Sequence, residues 1–121
     1  MNIPRLQHKR VYEPRSASDG IRVLVDRLWP RGLSKETAGV DQWMPEISPS
    51  TGLRKRFHGH PELWDEFQEL YFGELDANAE AVGRLVGEIE RGPVTLLYAA
   101  KDTEHNNAVA LREYLRQRYS L

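Results

Sequence analysis

The chain has 121 residues, 40% apolar and 29% charged, with no cysteine and a formal net charge of −1. That is ordinary globular composition for one domain over residues 1–121, and it excludes disulfides, thiolate metal sites, iron–sulfur clusters and a cysteine nucleophile. No apolar run approaches the ~18 residues of a membrane span, and nothing apolar follows the charged N-terminus, so neither membrane association nor a signal peptide is expected and cytoplasmic residence is the default.

In chain order, Lys9–Tyr12 is a short strand candidate ended by Glu13-Pro14 and the turn Ser16–Gly20. Ile21–Val25 is a stronger one, rich in β-branched residues. Asp26 to Gly32 then breaks the pattern with charges, a Pro and a Gly, which reads as a strand end entering a loop. Ser34 is a cap for a short helix over 35–39, and short helical pieces are predicted around 40–44 and 50–57. A longer helix begins at Pro61, with Leu63, Trp64, Phe67, Leu70, Tyr71 and Leu75 on one face. Its stripe Trp64/Phe67/Tyr71 reads as core. A further helix starts near Asn78 and stops at Gly92-Pro93. Val94–Tyr98 is nearly all apolar and predicts a central strand. Asp102 or Thr103 is then the expected cap of a last helix running to about Arg118.

This order predicts an α/β, three-layer-like domain: a short, mostly parallel sheet flanked by helices. The helices between the second and last strands favour parallel pairing.

Both apolar strands, 21–25 and 94–98, run into charged loops at their C-terminal ends, where ligands bind in open α/β sheets. Arg27, Arg31 and Lys101 are candidate anion ligands, with Asp102 and Asn106 beside them. Asp26 and His105 are the candidates for proton transfer. The opposing readings stay open: Asp26 as partner of a structural ion pair, Asp102 as a helix cap, His105 bonded only to its neighbours. Asn106 and Asn107 are poor helix formers in succession, which suggests side chains used for something else.

The halves of the chain differ in charge. Residues 1–60 hold eleven Lys/Arg against six Asp/Glu, and residues 61–121 hold six against twelve. Arg54, Lys55 and Arg56 form the densest basic run and mark an alternative nucleic-acid surface, although three consecutive cations cannot share one helical face. His58 and His60 lack a third ligand nearby, so no metal is expected. No Gly-rich phosphate loop, dinucleotide fingerprint or nucleophile elbow is present, and no cofactor is expected.

Together, Lys9–Tyr12, Leu24–Gly32, Ser48–Ser50 with Leu53–Lys55, Phe57-His58, and Leu97–Asp102 with His105-Asn106 resemble the YeaO-like family of small bacterial proteins. That family lies within a larger group of domains of unknown function, and the resemblance spans about residues 8–118. It implies an α/β fold, a cytoplasmic bacterial protein and a shared site at the two loops, with no established reaction. Where the wider group carries a Cys-His-Arg-like run after the last strand, this chain has His105-Asn-Asn-Ala108, without a thiol. Three functions are therefore carried forward: an anion- or nucleotide-binding site with possible catalysis, a nucleic-acid-associated protein, and a non-catalytic partner-binding module.

Overall fold

The structure is a computed structural model that describes residues 5–121; residues 1–4, part of the stretch read for a signal peptide, lie outside it. Four parallel strands form one sheet: β1 (Leu6–Arg10), β2 (Ile21–Leu24), β3 (Gln42–Trp43) and β4 (Val94–Tyr98), in the spatial order β1-β4-β2-β3. β4 is therefore internal, in keeping with its nearly all-apolar run, since both its faces and both its edges are covered. The helices are α1 (Lys35–Ala38), α2 (Thr51–Phe57), α3 (Trp64–Asp76), α4 (Ala79–Arg91) and α5 (Asn107–Tyr119).

Alternation along the strands divides the core. Val23, Val25, Val94, Leu96 and Tyr98 join side chains of α2 to α5 in one buried cluster. Leu24, Leu97 and Val11 point the other way and pack under Trp29, Leu33 and Val40. Beneath that second cover lies Arg22, only 1% exposed. Its guanidinium donates to Asp19 at 2.9 Å, to the Gly39 carbonyl at 2.9 Å and to the Glu13 carbonyl at 3.0 Å. Lys9 reaches the same Asp19 carboxylate at 3.1 Å. Burial by itself would push the Asp19 carboxyl up, but hydrogen bonds from Ser16, Arg22 and Lys9 outweigh it and hold it well below the usual carboxylate range. One charge cluster thus ties the turn before β2 to the loop that covers it.

Three expectations about local structure are corrected. The first strand begins at Leu6, three residues earlier than read, because its register against β4 sets Leu6 opposite Val94. The segment expected to be helical around 40–44 contains β3 instead. Asp41 N–H donates to the Arg22 carbonyl and Met44 N–H to the Leu24 carbonyl, so the open edge of β2 draws this segment into the sheet. Pro45 also biases Met44 away from helical backbone. The last helix starts at Asn107, not beside Asp102. The Asn106 side chain caps it by accepting Val109 N–H at 3.0 Å.

Candidate functional site

A cleft of about 660 Å³ opens beyond the C-terminal ends of β2 and β4. One wall is the loop after β2, with Leu28, Trp29, Pro30 and Arg31; the other is the end of α2 and the start of α3, with Arg54, Phe57, His58 and Trp64. The floor is Asp26, Ala99 and Asn107, and Lys101, Asp102 and His105 stand at the mouth. Among the described residues, this lining contains no Ser, Thr or Cys.

Asp26 is the centre of the floor. Its Oδ2 accepts Ala99 N–H at 2.8 Å, and its Oδ1 accepts from Asn107 Nδ2 at 3.0 Å. Its backbone carbonyl accepts Trp43 Nε1–H at 2.8 Å, which pins the strand end. Burial raises the Asp26 pKa, while the Ala99 amide, the field of Arg54 and the Asn107 amide act in the opposite direction. A half-buried carboxylate is thus held by two neutral donors, with a cation on the facing wall.

The loop after β4 is braced from the sheet edge. Arg10 donates through Nε to the Ala100 carbonyl and through Nη2 to the Ala99 carbonyl, both at 2.9 Å. Its guanidinium also lies 4.9 Å from the centre of the Tyr12 ring. Further along, Asp102 closes a turn: Oδ1 accepts Glu104 N–H at 2.9 Å and His105 N–H at 3.0 Å. These backbone donors hold the Asp102 carboxyl below its usual range. His105 Nδ1 lies 3.0 Å from Asp102 Oδ2, and its ring meets Trp64 edge-on at 5.2 Å between centroids. The expected cap residue Asp102 therefore orients His105 and does not cap α5.

The predicted residues divide cleanly. Asp26, Arg31, Lys101, Asp102, His105 and Asn106 all line the cleft. Arg27 does not: Nη2 donates to the Pro49 carbonyl at 3.4 Å, and its buried Nε has no hydrogen-bond partner. The basic run is split by the helical turn. Arg54 lines the cleft, Lys55 is exposed outside it, and Arg56 pairs with Glu66 at 2.9 Å. Trp64 and Phe67, read as core, also form cleft wall, whereas Tyr71 is fully buried and donates to the Ile47 carbonyl at 2.7 Å. His58, His60 and His105 all reach the lining, but among the described residues no three ligating groups converge on a metal position.

Sequence reasoning left three participants out of the site. Asn107 was noted only as an unusual helix residue, yet it carries the bond to Asp26. Arg54 was assigned to another surface, and only the 3.6-residue period could have separated it from Lys55 and Arg56. Arg10 enters the sequence reading only within the family-like stretch Lys9–Tyr12, with no sign of its bracing role, because its targets are carbonyls distant in sequence.

Residues 5–121 match the protein family described as "Inactive DUF488-N3 subclade". The uncharacterized protein YeaO of Escherichia coli is 48% identical over 111 residues, covering 92% of this chain and 96% of the relative. Uncharacterized protein Rv3073c of Mycobacterium tuberculosis and Mb3100c of Mycobacterium bovis are each 38% identical over 114 residues, covering 94% of this chain and 96% of the relative. No solved structure matches. No helix among the described residues is long and apolar enough to cross a membrane. With its YeaO-like motifs and a match over nearly its full length, the chain belongs to the DUF488 family, in the subclade described as inactive.

Proposed function

We propose that this chain is a cytoplasmic, non-catalytic binding domain that holds a small anionic ligand in the cleft between the loop after β2 and the wall formed by α2 and α3. The observation that carries this reading is the composition of the lining. Arg31, Arg54 and Lys101 supply cations, and Trp29, Phe57 and Trp64 supply rings, without any hydroxyl of Ser or Thr or any thiol to act as nucleophile. Asp26 and His105 also have positions set by the protein itself, through Ala99 and Asn107 in one case and Asp102 in the other. The word "inactive" in the family's description agrees with binding in place of turnover. Calorimetry with phosphorylated and carboxylated metabolites tests this. Binding that falls at least tenfold in both Arg31→Ala and Arg54→Ala, with the fold retained, supports it. Turnover of any bound compound, or absence of binding across the panel, overturns it.

The nucleic-acid reading draws less support, because the three cations that suggested it point to different surroundings. Arg54 faces the cleft and Arg56 is engaged by Glu66.

A further inference from the structure

The cleft floor carries an unused hydrogen-bonding pattern. Each Asp26 oxygen accepts one protein hydrogen bond and has capacity for a second. The carboxylate therefore offers the cleft two acceptors side by side. Among the described residues, no group donates to Asn107 Oδ1, and this atom is not a buried orphan, so it is a third acceptor open to the cleft. Floors of this kind recognise a planar edge with two adjacent N–H groups.

The walls suit a planar body. Trp64 is half-buried, stacked on Phe67 at 5.5 Å and held edge-on by His105, so its ring is fixed before any ligand arrives. Trp29 on the opposite loop is fixed by its indole N–H, which donates to the Leu33 carbonyl at 2.7 Å, and by edge contact with Trp43 at 5.5 Å. Rigid rings with locked partners are the surfaces on which a base stacks at low entropic cost. Arg31, Arg54 and Lys101 line the same cleft and are available to a phosphate. The volume of about 660 Å³ is in the range of sites that enclose a mononucleotide-sized molecule.

Resting on the anion-binding reading above, we propose that the ligand is a guanine nucleotide, with the ring N–H and exocyclic amino group of its base on the Asp26 carboxylate and its phosphate on the cleft cations. Among the common bases, only guanine presents a ring N–H directly beside an amino group. Adenine and cytosine place a ring acceptor there, and uracil and thymine flank one N–H with carbonyls. The nucleotide is either free or an unpaired guanine in a single strand, since both present the same chemistry.

The test compares GMP, IMP, AMP, ribose 5-phosphate and a single-stranded oligonucleotide with one guanine, by calorimetry and tryptophan quenching. GMP is expected to bind at least tenfold more tightly than IMP, which lacks the amino group, and than AMP or ribose 5-phosphate. Asp26→Asn, checked for folding by circular dichroism, should abolish the GMP preference, and Lys55→Ala, outside the lining, should keep it. Tighter binding of the oligonucleotide than of GMP assigns the guanine to a nucleic-acid strand, and tighter binding of GMP assigns it to the free nucleotide; either supports guanine recognition. Equal affinity for GMP, IMP and ribose 5-phosphate overturns guanine recognition and leaves the anion site standing. Absence of binding by every phosphate compound overturns guanine recognition, and absence of binding by the carboxylated metabolites as well overturns the anion site.

Discussion

The Asp26 carboxylate accepts a hydrogen bond from the Asn107 side chain at 3.0 Å, across 81 positions of sequence. Through it the end of β2 is attached to the first residue of α5, and the Ala99 amide adds the turn after β4 to the same carboxylate. Asn107→Ala removes one of the two donors from a half-buried carboxylate and should cost roughly 1.5–3 kcal/mol, measured by urea denaturation. Asn107→Asp should cost more at pH 7, where two carboxylates face each other, and recover below about pH 4. A uniform loss at all pH values would show that the bond is incidental.

Asp26 itself is held at a cost to stability. Its folded pKa is raised, chiefly by burial, so its protonated form is the one folding favours. The favourable contribution is complete below the unfolded Asp pKa of about 3.9 and is lost as pH rises through the folded value. Asp26→Asn, neutral throughout, replaces one acceptor oxygen by an amide donor at a fixed cost. The variant's stability relative to the native chain should therefore rise as pH increases from the unfolded Asp value through the folded one. Thermal melts of both proteins across that range check the sign; parallel curves would refute it.

The second face of the sheet depends on Arg22. Arg22→Met would remove one of the donors to Asp19, which keeps those of Ser16 and Lys9, together with the shortest donor to the Gly39 carbonyl and the donor to the Glu13 carbonyl. A loss of roughly 3–5 kcal/mol is expected from chemical denaturation. The Asp19 pKa is lowered, so its contribution is present above the ordinary Asp value and is lost as pH falls below it toward the folded value. The native protein's advantage over Asp19→Asn should accordingly shrink progressively below about pH 4.

Two glycines with positive φ should respond differently. Gly20 has φ 64°, and a Cβ there would lie 2.1 Å from the Pro93 carbonyl oxygen, which is also the acceptor for Ile21 N–H at the start of β2. Gly32 has φ 79° with no atom within 4 Å of such a Cβ. Gly32→Ala should cost roughly 1–2 kcal/mol, from backbone strain alone. Gly20→Ala should cost more, since β2 must move from β4 or the turn must rearrange. Comparison of their denaturation midpoints decides it, and equal losses would contradict the close approach.

The sequence by itself determined the α/β class, the two apolar strands, the parallel pairing of β2 with β4, and the two charged loops after them. Each rests on local physics: β-branched runs, helical periodicity, and charge that stops an apolar strand. It also marked Asn106 and Asn107 as out of place in a helix, because local propensity is violated at that point. Only the tertiary structure decided what those residues do. Asn106 became the cap because Asp102 spends its carboxylate on the preceding turn, and Asn107 became a site residue because strand order brings β2 beside β4. The edge of β2 turned Gln42-Trp43 into a strand, an outcome set by an unpaired backbone edge with no trace in the local pattern. The same holds for Arg22 in the middle of an apolar run, whose acceptors, the Asp19 carboxylate and the Glu13 and Gly39 carbonyls, lie on both sides of it in sequence. Hydrogen bonds between distant segments follow from where the folded chain places them, and neither the 2-residue nor the 3.6-residue period encodes that.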